Sequence, residues 1–334
     1  MAVIDDDMPE LSKRLAVKEP AYRRTLTADL QALRDGTDLA AWERIFEQVG
    51  GPGISDAAIR GACPYDAWIS KLEDVVATFA AEAFLIGARV GGEAAGLATK
   101  EPHPVFNRVN PEAVAWAHQH AGIAIVEIGD ATLAGIRASV ATALELGWHP
   151  TKLARLIRET IGLTQTQATA VTRFAEKIAG GEAELSDAQL FGRVGRYAEA
   201  QRRVRALTIA RTELAEAASA GQQRLWDTAI ETGAIDKSRL RKTWLATYDE
   251  LLESRCELLA SEEVGVDEPF SNGRLGPPDH PRCRCAAGLV RAEKSIVATR
   301  PVRIAAPDHD WDAIISEAIR DGFINVFPEP PREM

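Results

Sequence analysis

The sequence predicts a mostly α protein, with a long helical N-terminal and central body followed by a small α+β C-terminal module that a metal could staple. Three observations carry this. Apolar residues recur at three- and four-residue steps from about residue 20 to residue 232. Beyond Lys242 that period stops, and short apolar runs and turn residues take over. Three of the four cysteines, Cys256, Cys283 and Cys285, fall in that second stretch.

A chain of 334 residues is long enough for two compact units with real cores. Hydrophobic residues at 46% and charged residues at 26% give the balance of a soluble folded protein. The formal net charge of −10 argues against a whole-surface nucleic-acid coat, because non-specific binding needs many cations to neutralise phosphates. Any DNA contact must therefore be local. The acidic start MAVIDDDMPELSKR has no apolar core segment, and no window of ~20 apolar residues stands out, so neither a secretory signal nor a membrane span is expected. Synthesis and assembly in a cytoplasm, without a membrane, are the expectation.

The first helical stretch carries Trp68, Ile69, Leu72, Val75, Val76 and Phe79 as one apolar stripe, with GGPGIS at 50–55 separating it from an earlier one. The run KEPHPVFNRVNP at 100–111 holds three prolines and reads as a linker. Helices are then expected over Ala113–His120 and Thr132–Leu146, with Gly147 ending the second. Pro150 opens another, with Leu153, Leu156, Ile157 and Ile161 on one face and a stop at Gly162. Thr164 and Gln167 have capping-box spacing ahead of Val171, Phe174, Ala175 and Ile178. The result is a helical hairpin, which packs in a core or, like helix-hairpin-helix modules, holds a DNA backbone.

From Ser186 to Thr232 the pattern gives a long helix or two, with a weak point at Gly192 and Gly195. Arg193, Arg196, Arg202, Arg203, Arg205 and Arg211 are accompanied over that span only by Glu199. They form a candidate face for phosphate or an acidic partner, the alternative being a solvated face balanced by acidic neighbours. In the tail, Trp311, Ile314, Ile315, Ala318 and Ile319 share a helical face that would dock on the chain's own body or on a neighbouring subunit. The expected divisions are 1–104, a helical N-terminal region; 105–240, a helical core; 241–292, the Cys/His module; and 293–334, a tail with a docking helix.

Cys256, His280, Cys283 and Cys285 make a common donor set for structural zinc, which accepts thiolate and imidazole in a tetrahedron. His280 and Cys283 are three residues apart and well placed to converge, whereas Cys283 and Cys285 are closer than a usual zinc knuckle allows. Four protein ligands would saturate the ion, so it would staple the fold and activate no water. The alternatives are reduced thiols packed without metal, or a disulfide from Cys256, which a reducing cytoplasm disfavours. Cys63, alone in GACPYD, reads as a small packed hydrophobe.

The ordered string IARTE at 209–213, Gly221, Trp244 with Asp249 five positions on, DEPF at 267–270 and GPPDHPRCRC at 276–285 resembles the signature of the phage Mu F-like minor head proteins. FNRVNPEAVAW and IRETIGLTQTQATAV upstream are similar too, so the likeness spans roughly residues 105–290. The resemblance implies a minor capsid protein of a tailed bacteriophage acting in head morphogenesis, assembled in the bacterial host cytoplasm. That means association with the portal protein during prohead assembly, possible contact with major capsid or scaffold proteins and with packaged double-stranded DNA, and a place in the virion head interior or at the portal vertex. Some members leave with the DNA on genome ejection. Many carry a histidine or a CxxC pair after the aspartate. Here Cys256 keeps the second position and Glu253 takes the first, so a site using Glu253, or one without metal, is the alternative.

An enzyme is not expected. The chain has no GxSxG elbow, no GxxxxGK[ST] loop and no HExxH helix, and GARVGGEAAG at 87–96 does not match a nucleotide loop. A non-specific DNA-binding protein of the head is the second reading. A hydrolase would require one metal ligand to give way to water.

Overall fold

The protein is described from a computed structural model, which covers residues 3–48, 54–97, 104–145, 148–181, 185–248 and 252–292. The fold is mostly α, with a small three-stranded antiparallel sheet near the C-terminal end. Helices α1 (Val3–Asp35), α2 (Leu39–Gln48), α3 (Asp56–Ala62) and α4 (Tyr65–Ala94) precede α5 (Pro104–Glu145), α6 (Pro150–Thr160), α7 (Gln165–Ala179) and α8 (Asp187–Glu231). Strand β1 (Leu240–Leu245), helix α9 (Ser254–Leu259) and strands β2 (Glu263–Val264) and β3 (Ala286–Arg291) follow. The sheet order is β2-β1-β3, with Lys242 opposite both Val264 and Leu289.

Local chemistry accounts for several helix ends. Thr164 and Gln167 form the expected capping box, each side chain satisfying the other's free backbone donor. Ser186 and Gln189 form a second one at the start of α8. Gly162 ends the first arm of the hairpin at φ +80, a left-handed conformation that a Cβ disfavours. Leu153, Leu156, Ile157, Ile161, Val171 and Ala175 are buried as the two stripes require.

The hairpin turn itself is buried. Leu163 has no exposed surface, and a Cβ on Gly135 of α5 would lie 2.2 Å from its carbonyl oxygen. The α6–α7 turn is thus a packing element, and its backbone is not presented to a DNA strand.

Helix α5 is longer than expected, and of the one or two helices expected over 186–232 the structure has one. The expected linker at 100–111 gives way at Pro104 to α5, which runs unbroken through Pro111 and across the gap expected between 120 and 132. Pro104 holds the first position, where a missing N–H costs nothing. Helix α8 passes through Gly192 and Gly195 without a break, because glycine costs only about 1 kcal/mol in a helix whose flanking Leu190, Val194 and Ala198 are buried. Residues 49–53, 100–103, Gly147 and Asp249 lie outside the described residues, as does the expected docking stripe Trp311, Ile314, Ile315, Ala318 and Ile319.

Helix α4 is long and apolar enough to cross a bilayer by length and composition, which corrects the reading that no such window exists. Its position explains the apolarity, since 56% of that window is buried inside the protein. The stripe residues Trp68, Leu72 and Val76 point into one core shared with Tyr22 and Leu26 of α1, Ile136 of α5 and Ala206 of α8. The core therefore does not divide at residue 104.

Helices α4 and α8 cross at backbone contact. A Cβ on Gly221 would meet the Phe84 carbonyl oxygen at 1.9 Å, and one on Gly87 would meet that of Ala218 at 1.9 Å. Gly221, part of the ordered string, is thereby required by packing. Beside this crossing, Ala287 and Leu289 of β3 pack with Phe84, Leu225 and Trp226, which seats the sheet against the helical body.

Candidate metal centre

The small module has its own core of Trp244, Ala246, Cys256, Leu259, Phe270 and Cys283. The Trp244 and Phe270 rings meet edge to face at 5.1 Å between centroids. Cys256 sits in the first turn of α9. In the loop before β3, the backbone N–H of Cys283 donates to the His280 carbonyl at 3.1 Å, a turn that folds His280 and Cys283 to the same side.

The ligand atoms of Cys256, His280 and Cys283 lie within 4.8 Å of one another, so this cluster can hold a metal ion. The Cys256 and Cys283 sulfurs are 3.7 Å apart. Two thiolates bound at ~2.3 Å in a tetrahedron stand about 3.8 Å apart, whereas a disulfide requires ~2.05 Å. All four cysteines are free, and Cys63 is buried, as expected of a packed hydrophobe. A cavity of about 10 Å³, the room of one ion or water, lies among Cys256, His280, Cys285, Glu253 and Thr247.

The surroundings suit an ion. His280 Nδ1 is 2.9 Å from the Pro281 carbonyl and 3.0 Å from Glu253 Oε1. A carbonyl only accepts, so Nδ1 carries the proton and Nε2 keeps its lone pair for a metal. Glu253 therefore orients the imidazole, and its direct use as a ligand in place of the missing cysteine is not required.

The thiols share charge. Burial, then the charge of Cys283, pushes Cys256 up to about 12, whereas the hydrogen bond from Cys285 brings Cys283 down to about 5. Donating that bond, together with burial, raises Cys285. The buried Trp244 indole N–H has no nitrogen or oxygen partner and favours the thiolate form of Cys285. A group of thiols around the Cys283 thiolate, with an indole donor turned to the neighbouring Cys285, fits a cation at its centre.

The expected arginine face keeps only Arg193, Arg196 and Arg203 exposed. Arg202 and Arg205 are buried. Arg202 donates to the Glu159 and Ile161 carbonyls at 2.8 and 3.2 Å, and Arg205 to the Ile128 carbonyl at 2.9 Å. They satisfy backbone acceptors of α5 and of the α6–α7 hairpin, and burial brings Arg205 down to about 10. Arg211 pairs with Glu19 of α1 at 2.8 Å, and Arg203 with Glu199 at 3.4 Å. Arg193 and Arg196 are exposed. At 100° per residue Arg202 and Arg205 turn away from the side of the helix that carries Arg193, Arg196, Arg203 and Arg211, which is why those two are the buried ones.

The IARTE string proves to be a set of ties. Arg211 reaches Glu19 on α1, Thr212 Oγ1 accepts the Arg282 backbone N–H at 3.1 Å, and Glu213 Oε2 lies 2.7 Å from His120 Nε2 on α5. Burial opposes charge on His120, but the hydrogen bond and charge of Glu213 outweigh it, so its pKa is raised. Sequence reading missed His120, Glu19 and the Trp244 indole N–H because each acts on a residue far along the chain. No protein-family model matches the chain, no curated protein matches its sequence, and no solved structure matches its fold.

Proposed function

We propose that the chain is a non-enzymatic minor head protein of a tailed bacteriophage, similar to the Mu F-like proteins, which joins the portal vertex during prohead assembly. The observation that carries the reading is the order and spacing of IARTE, Gly221, Trp244, DEPF and HPRCRC. Each element has a structural duty that accounts for its residue types. IARTE ties α8 to α1, α5 and the cysteine loop, Gly221 permits the α4–α8 crossing, Trp244 and Phe270 form the module's core, and HPRCRC supplies thiol and imidazole donors.

In this reading the ion is zinc, held by Cys256, His280 and Cys283 with Cys285 as the fourth donor, and its part is to staple the module. The residues beside it bind and orient: Glu253 fixes the imidazole and Trp244 holds Cys285. DNA contact is secondary, since the internal bonds of Arg202, Arg205 and Arg211 remove half of the expected phosphate-binding set.

Co-expression with the portal protein of the same gene neighbourhood, followed by size-exclusion chromatography with light scattering, tests the assignment. A stable complex of defined mass is expected. Separate elution at every salt concentration, together with tight salt-sensitive retention on DNA, would replace it with the DNA-binding reading.

A further inference from the structure

Between α5 and α8, away from the cysteines, lies a cleft of about 700 Å³, within the ordinary size range of ligand sites. Phe84 and Trp116 give it an apolar wall, and the loop from Arg274 to Pro278 crosses it. The Trp116 ring stacks on His120 at 4.5 Å between centroids, and Glu213 holds His120 in turn, so this wall is rigid.

Helix α8 contributes Glu216, Ser219, Ala220, Gln223 and Asp227, whose three- and four-residue steps make one stripe. At 1.5 Å of rise per residue, the carboxylates at the two ends of this stripe stand roughly 16 Å apart along the axis. The small side chains of Ser219 and Ala220 leave a trough between them. Gly276 keeps it open, since a Cβ there would lie 2.3 Å from Ser219 Oγ.

The charges in the cleft are unevenly served. Arg274 is 3.9 Å from Asp279 and Arg224 is 3.8 Å from Glu231, so both cations have carboxylates beyond the lining. Asp227 accepts a neutral hydrogen bond from Gln223 at 2.8 Å, and neither it nor Glu216 makes a direct ion pair among the described residues. Burial holds both carboxyl groups above the ordinary carboxylate range, outweighing the opposing charges of His120 and Arg274 on Glu216 and of Arg224 and Lys242 on Asp227.

We infer that this cleft binds an extended aliphatic polycation, with its methylene chain along Trp116 and Phe84 and its ammonium groups on Glu216 and Asp227. An aromatic wall accepts the methylenes and attracts the adjoining ammonium charge, and carboxylates at the two ends select for length. A free linear polyamine and a lysine-bearing peptide segment offer the same chemistry. The inference does not depend on the head-assembly reading.

Isothermal titration of the full-length chain with spermine, putrescine and a lysine-containing peptide at low ionic strength tests it. Saturable 1:1 binding of spermine, weaker for the shorter putrescine and at least about tenfold weaker in Glu216→Gln and in Asp227→Asn, is expected. Both substitutions remove a partly buried charge, so the variants should fold, which circular dichroism checks. Preference for the peptide with the same loss in both variants would assign the site to a protein's basic segment. Absence of saturable binding by any of the three, or binding unchanged in the double variant, would overturn the inference.

Discussion

Thr212 Oγ1 accepts the backbone N–H of Arg282 at 3.1 Å, joining the middle of α8 to the loop that carries Cys283. Arg282 sits at φ +65, a conformation that costs a non-glycine residue of order 1 kcal/mol and has to be held from outside. The helical body thus helps to shape the cysteine module. Thr212→Val removes the acceptor at nearly constant volume and should lower metal affinity about tenfold with little change in global unfolding. Competition with a chromogenic chelator measures it, and equal affinity in the two proteins would show that the loop shapes itself.

The cysteine module should depend on its ion while the helical body does not. Cys283→Ser, or chelation of the wild type, is expected to expose residues 240–292 to protease and leave helical circular dichroism nearly unchanged. Protection of that segment after both treatments would mean that its apolar core suffices.

Gly221→Ala should be among the most damaging single changes, because the added Cβ would overlap the Phe84 carbonyl. A loss of ~3 kcal/mol is expected in urea unfolding, against no loss or a gain of up to ~1 kcal/mol for Gly122→Ala, inside α5 where nothing lies within 4 Å. Equal effects would mean that α4 and α8 slide apart freely.

The arginines of α8 should separate into two groups. Arg202→Met strips the Glu159 and Ile161 carbonyls of their donor and leaves the Glu159 carboxylate to the more exposed Arg34 and Arg158, at a cost of roughly 3 kcal/mol. Arg193→Ala and Arg196→Ala should stay within about 0.5 kcal/mol. Thermal melts of the three variants separate a structural role from a surface one.

His120 makes stability depend on pH. Its folded pKa is raised above the ordinary 6.5, so the folded state binds the proton more tightly than the unfolded one. The stabilisation is fully present below the unfolded value and fades as pH rises through the folded value. His120→Gln should therefore lower the melting temperature more at about pH 5.5 than at about pH 8. A difference of the opposite sign would mean that burial, and not Glu213, dominates this histidine.

Much of the fold was legible in the sequence, because apolar periodicity and capping chemistry are local. Thr164, Gln167, Gly162 and the stripes of α6 and α7 follow directly from them. The length of α5 was not, nor was the choice between one helix and two for α8, since proline and glycine penalties of one or a few kcal/mol are overridden by burial that spacing alone does not reveal. The metal centre was legible as a donor set, while the ties of Arg202, Arg205 and Glu253 depend on which distant carbonyl or imidazole folds beside them. Composition misled once, in α4, where a core helix and a membrane helix share the same apolar length.

The most direct test of the metal-stapled module is elemental analysis of the purified full-length chain, combined with X-ray absorption at the edge of the metal found. One zinc per chain in a shell of three sulfurs and one nitrogen is the expected result. A folded, metal-free protein whose module resists protease and does not take up added zinc would contradict it.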